Sequence, residues 1–203
     1  MPTLWILVFM KKWHREKYFV KIVVDIAVKI RYNFEFVYIF VISVGYLALD
    51  EMLLTQILQL SCVKVPLEGK DKESVITELV ELLDTNGLLL DKNVVLDAVF
   101  TREQTRSTGI GSGIAIPHGK CKAVKELVMA IGVAGEPIDF ASVDGKLVTI
   151  VILLVSPADQ TGPHIQALAR ISRLMLDEQF REALETATSS DELFELLNSK
   201  ENE

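Results

Sequence analysis

The chain has 203 residues, half of them hydrophobic, and a formal net charge of −7. That length suits one ordinary domain with an appendage, and the acidic balance argues against a nucleic-acid partner, which needs a basic face. Its two cysteines, Cys62 and Cys121, form no C-x-x-C pair, so neither a disulfide framework nor a four-cysteine zinc site is expected and both read as reduced, cytoplasmic thiols.

Charge and aromatic residues are unevenly spread. Residues 1–51 hold 7 Lys/Arg against 5 Asp/Glu, whereas residues 52–203 hold 14 against 23. All 4 tyrosines and both tryptophans also precede Met52. This break divides the chain into an N-terminal appendage, 1–51, and a main domain, 52–203. Within the appendage, Phe34–Leu49 is an apolar run of 16 residues with one charge, Glu35. A spanning helix wants roughly 20 such residues. Three readings stay open for 1–51: a marginal membrane anchor at 34–49, a start placed upstream of a true start at Met52, or accessory structure. The small-residue cleavage site of a signal peptide is absent from it.

From Met52 onward the pattern is that of an α/β domain. Val75, Ile76, Leu79, Val80, Leu82 and Leu83 recur at helical spacing over Lys70–Asn86, with Asp71 placed to cap the start and Gly87 to close the end. A second helix is expected over Asp91–Gln104, with Val94, Val95, Ala98 and Val99 as its apolar face. Arg106–Gly113 reads RSTGIGSG, a stretch that lets the backbone turn sharply and expose its N–H groups. Ile114, Ala115 and Ile116 form a short apolar run stopped by Pro117, and His118 follows directly. Leu127–Val133 reads as a strand and Ile138–Phe140 as a short one. Leu147–Val155 is almost continuously apolar and β-branched, as in a central strand covered on both faces. Gln160–Pro163 is a turn, and Pro163 suits the first position of a helix, which would put His164 in its first turn. Helices over Asp177–Ala187 and Ser190–Asn198 follow, and the polar tail from Lys200 reads as frayed. Strands alternating with helices predict a layered α/β fold.

The glycine stretch is not a nucleotide fingerprint: its G-x-G-x-G spacing differs from G-x-G-x-x-G, and no Gly-Lys-Ser/Thr follows. His118 and His164 are the only histidines after Met52. A neutral imidazole is a competent nucleophile near pH 7, since its unperturbed pKa is about 6.5. A satisfied structural histidine and a metal site using His118, His164 and Cys121 are the competing readings. The second lacks further ligands at useful spacing; if real, it would make the protein a metal-dependent hydrolase.

Residues 103–119 resemble the active-site signature of enzyme IIA domains of the fructose–mannitol class, components of the bacterial phosphoenolpyruvate-dependent phosphotransferase system. Glu103 is followed after six residues by Ile110-Gly111, and two residues later by Ile114-Ala115-Ile116-Pro117-His118-Gly119. The stretch HIQALARISRLMLDEQFREALETATSSDELFELL also resembles the family's C-terminal helices, so the likeness covers 52–203. It implies a mixed, mostly parallel sheet flanked by helices on both faces. By the same resemblance His118 is the histidine phosphorylated on Nε2. His164 would be the helper that hydrogen-bonds the phosphoryl oxygens, and Arg102 a cation that stabilises them. No cofactor and no metal are implied. The donor would be HPr or a nitrogen-branch paralogue. The acceptor would be a cysteine of an enzyme IIB domain or, in a regulatory branch, phosphorylation would control binding to a target protein. Membrane contact would be indirect, through a permease, unless 34–49 is an anchor. Ile110, Ile114 and the loop glycines are the expected contact points for partners.

Overall fold

The computed structural model describes residues 52–203; the appendage, including the candidate anchor at 34–49, lies outside the described residues. Among the described residues no helix is long and apolar enough to cross a membrane.

A short 3-10 turn, Leu54–Gln56, leads into β1 (Leu58–Leu67). Helix α1 (Lys72–Thr85) starts on a capping box: Asp71 accepts the Ser74 N–H, and Ser74 Oγ accepts the Asp71 N–H. It closes on Gly87, whose φ is +70°, the left-handed conformation that a helix end favours and glycine adopts without strain. Helix α2 (Lys92–Thr105) starts on Asp91, which accepts from the N–H groups of Asn93 and Val94. Its buried stripe is Val95, Val99 and Glu103. Val94 lies on the flank and is exposed, a correction to the expected face that follows from the i, i+4 spacing of the buried stripe.

The glycine-rich stretch is a hairpin. Strands β2 (Gly109–Gly111) and β3 (Ile114–Ala115) pair antiparallel with Gly111 opposite Ile114. Between them Ser112 and Gly113 take φ values of +54° and +78°. Positive φ at both central residues is the tight primed turn whose twist matches a hairpin. The Ser112 N–H donates to Asp144 Oδ2 at 2.8 Å, so this turn amide is occupied from within the fold.

Strands β4 (His118–Cys121), β5 (Val128–Ile138) and β6 (Val148–Pro157) complete a six-stranded sheet of order β1-β5-β6-β3-β2. β3 and β4 are successive segments on the same side of β6, parallel to it, with Ile114 beside Ile150 and His118 beside Leu154. β1 is parallel to β5, while β5 and β6 are antiparallel. Nearly every residue of β6 and seven consecutive residues of β5 are buried, so both faces of the central strands are covered. Helices α3 (Thr161–Leu174), α4 (Glu178–Glu185) and α5 (Ser190–Glu201) follow β6. The mixed α/β sandwich expected from the resemblance is the observed fold.

Several boundaries differ from the sequence expectation, among them that of β6, which runs on to Pro157. Ile138 is the end of β5 rather than the start of a separate strand. Helix α3 begins at Thr161, which makes Pro163 its third residue; the missing N–H is still harmless there because it falls among the first four donors, which have no intrahelical partner. The tail is not frayed at Lys200: Glu201 is the last helical residue and is buried, accepting from the N–H groups of Leu54 and Thr55 at 2.7 and 3.0 Å.

Candidate functional site

His118 opens β4 immediately after Pro117, with its ring part-buried. Its Nδ1 lies 2.7 Å from the Ile116 carbonyl oxygen. A carbonyl only accepts, so Nδ1 carries the proton and Nε2 keeps its lone pair. Arg102 Nε donates to that lone pair across 3.1 Å, while Arg102 Nη1 donates to the Arg106 carbonyl at 2.8 Å. Arg102 sits in the last turn of α2, where a cation meets the negative end of the helix. Burial pushes the His118 pKa below its ordinary value. The Ile116 hydrogen bond opposes this, and the Arg102 and Lys120 charges reinforce it.

Behind the ring runs a chain of support. Glu103 is buried; Oε2 accepts from the Thr108 N–H at 3.0 Å and from the Thr108 hydroxyl, and Oε1 pairs with Lys72 Nζ at 2.9 Å. The Thr108 carbonyl accepts the Ile116 N–H at 3.0 Å, and the Ile116 carbonyl holds His118. The signature glutamate therefore anchors the backbone that orients the imidazole.

His164 is the fourth residue of α3 and is only 3% exposed. Its Nδ1 is 2.8 Å from Ser156 Oγ, and its ring centroid is 5.5 Å from that of His118, with the planes at 54°. Burial, then the neighbouring His118 and Lys120 charges, lowers its pKa to about 4, so the ring is neutral at physiological pH. Lys120 stands two residues after His118 on β4 and its Nζ donates to Thr161 Oγ1, at the start of α3, at 3.0 Å. The register pairs Lys120 with Ser156 and His118 with Leu154. Alternation along the strands therefore puts His118, Lys120 and Ser156 on one sheet face. Gly119 points the other way. A Cβ there would come within 3.1 Å of Val99, which is why α2 can approach β4 closely enough for Arg102 to reach the ring.

All three residues expected from the sequence thus converge. Cys121 does not join them: alternation turns it to the opposite face from His118, and it is buried. Among the described residues no group of three or more His, Cys, Asp or Glu side chains is placed to hold a metal ion. Ile110 is exposed, but Ile114 is packed in the core and offers nothing to a partner. Lys120 and Ser156 escaped sequence reasoning. An i, i+2 reading from His118 would have found Lys120, had those four residues been recognised as a strand.

The family model described as "Phosphoenolpyruvate-dependent sugar phosphotransferase system, EIIA 2" matches residues 56–200. The chain belongs to that family. Among its EIIA relatives is the fructose-specific EIIABC component of Bacillus subtilis strain 168, 36% identical over 147 residues, which cover 72% of this chain and 23% of that protein. The chain thus spans about a quarter of that relative's length. The nitrogen regulatory protein of Escherichia coli K12 is 33% identical over 151 residues, covering 73% of this chain and 91% of that protein. The crystal structure of the nitrogen regulatory protein IIA-Ntr from Neisseria meningitidis superposes with a TM-score of 0.66 at 33% identity, covering 70% of this chain and 97% of that one. Arg102, His118 and His164 all lie inside the matched EIIA segment.

Proposed function

We propose that this EIIA domain is a cytoplasmic phosphocarrier. His118 Nε2 takes a phosphoryl group from the phosphohistidine of HPr or a paralogue and passes it to a cysteine of an enzyme IIB domain, for uptake and phosphorylation of a sugar. The observation that carries this reading is the state of His118: Nδ1–H is committed to the Ile116 carbonyl, and the Nε2 lone pair faces an arginine.

That state balances both transfers without a proton acceptor. In the first, the Nε2 lone pair attacks phosphorus, the donor's N–P bond breaks, and its electron pair returns to the donor ring. His118 then carries a phosphoryl group on Nε2 and a proton on Nδ1. The Ile116 carbonyl stabilises the positive charge this places on the ring. In the second, a cysteine thiolate attacks phosphorus, the Nε2–P bond breaks, and its electron pair restores the resting imidazole. The moving group carries about −1.5 to −2 charges. Arg102, released from the lone pair as the new bond forms, can turn its Nε–H onto a phosphoryl oxygen. Lys120 and the first turn of α3, whose N-cap residue Gln160 makes no side-chain cap bond, add positive potential on the same side. Phosphoryl transfer is mostly positioning and charge stabilisation, and these groups supply both.

The test is reconstitution with labelled phosphoenolpyruvate, enzyme I and HPr. Wild type is expected to take up one acid-labile, base-stable phosphoryl group, and His118→Ala none. Label retained by His118→Ala, or refused by wild type, would remove the proposal. A second reading shares the phosphorylation but ends on a regulated target protein. It is supported by nitrogen regulatory relatives matched along 91% and 97% of their length. Delivery of label to an enzyme IIB domain separates the two.

A further inference from the structure

Ser156 lies at the end of β6, completely buried beneath His164, and the phosphate chemistry above gives it no part. Its hydroxyl has one hydrogen-bonding neighbour among the described residues, His164 Nδ1 at 2.8 Å. The hydroxyl has a proton to place and the imidazole has two tautomers. If Nδ1 carried the proton, it would donate to Ser156 Oγ, and the serine O–H would be left buried without an acceptor. If Ser156 donates, Nδ1 accepts, the serine is satisfied, and the ring proton sits on Nε2. Leaving a buried donor unmade disfavours the first arrangement by roughly 5- to 150-fold.

We propose that Ser156 is a positioning residue for phosphoryl transfer: by donating to His164 Nδ1 it holds His164 with its proton on Nε2, presented to the phosphoryl group on His118. The two histidines of the site are then held in opposite tautomers by opposite partners. A carbonyl acceptor makes His118 a lone pair at Nε2, and a hydroxyl donor makes His164 an N–H at Nε2. A phosphoryl oxygen is an acceptor only, so the alternative tautomer of His164 would turn a lone pair toward an anion. The tautomer matters because the ring is neutral: burial holds the His164 pKa near 4, so a second N–H from protonation is not present near pH 7. The position of Ser156 also fixes the ring plane, since the β4–β6 register sets it beside Lys120 and two strand residues beyond the partner of His118.

The part played in transfer rests on His118 being the phosphorylated residue; the tautomer does not, so two readouts separate the claims. The first is the long-range 1H–15N spectrum of histidine-labelled, unphosphorylated protein near pH 7. Wild type is expected to show His164 with its proton on Nε2 and a hydrogen-bonded Nδ1 lone pair. In Ser156→Ala the Nδ1 resonance should move toward the non-bonded or mixed-tautomer value, with the His118 signals unchanged. The second is onward transfer from the phosphorylated protein. Ser156→Ala is expected to slow it about tenfold, Ser156→Cys less. In a His164→Ala background the same Ser156→Ala change should have no further effect. A wild-type spectrum with the His164 proton on Nδ1 would overturn the proposal. So would a Ser156→Ala loss equally large with and without His164. A failure of wild type to accept phosphate, with the expected spectrum, would instead count against His118 as the carrier.

Discussion

Arg102→Ala removes a donor that has one acceptor in the resting protein and another in the transition state. In the resting protein the Arg102 Nε–H caps the very lone pair that must attack phosphorus, at 3.1 Å. In the transition state the same donor is free to meet a phosphoryl oxygen. Removing a preorganised donor of this kind costs about 2.7–4 kcal/mol of barrier. Against that, the substitution also removes a resting hydrogen bond to a charged group, worth about 1.5 kcal/mol, which had to be broken on the way. The difference, about 1.2–2.5 kcal/mol, corresponds to a loss of roughly 8- to 70-fold in rate. The pH profile carries a second signature. The Arg102 charge helps to hold the His118 pKa down, so its removal favours protonation of Nε2. The acid limb of the rate profile should therefore move to higher pH. Rapid-quench transfer from labelled phospho-HPr across pH 5–8 measures both effects. Wild-type rates together with an unmoved acid limb would show that Arg102 does not act on His118.

Three further outcomes follow from the same contacts. His164 has a folded-state pKa near 4 against about 6.5 unfolded, so the unfolded chain takes up its proton first. Stability is full above pH 6.5 and declines as pH falls toward 4, by about 3 kcal/mol; urea midpoints at pH 7 and 4.5 should separate in wild type and draw closer in His164→Asn. Glu201→Ala leaves the buried Leu54 N–H and its neighbour without their acceptor and should lower stability by about 1–3 kcal/mol without changing the rate of His118 phosphorylation. A protein starting at Met52 should fold, as followed by far-ultraviolet circular dichroism since 52–203 holds no tryptophan, and should accept phosphate; an unfolded product would move the domain boundary upstream.

What was legible in the sequence had local causes. Asp71 caps the helix it precedes, and the apolar run of β6 is central and doubly covered. Arg102, His118 and His164 were instead legible as one site through the family resemblance, because nothing local in the sequence brings the start of α3 to β4. The missed features depend on partners far away or on short pieces. β1 is an edge strand whose buried residues, Leu58, Cys62, Val63 and Leu67, do not alternate, because its register with β5 shifts twice. No period-two signal marks such a strand, and Pro66 argues further against one. Strands of two to four residues, as in β2, β3 and β4, are too short for any periodicity, so the shared face of His118 and Lys120 was not visible. Glu201 looked like part of a charged tail because its acceptor role is defined by backbone groups at the other end of the domain. Ser156 closes an apolar strand and acquires significance only when α3 lays His164 over it.

The proposed transfer turns on which nitrogen becomes bonded to phosphorus. Long-range 1H–15N spectra of histidine-labelled protein, recorded before and after phosphorylation through enzyme I and HPr, report this directly. The phosphocarrier mechanism predicts that His118 Nε2 alone shifts to the position of a phosphorylated nitrogen while Nδ1 keeps its proton on the Ile116 carbonyl. A phosphoryl group on His118 Nδ1, or on either nitrogen of His164, would contradict it.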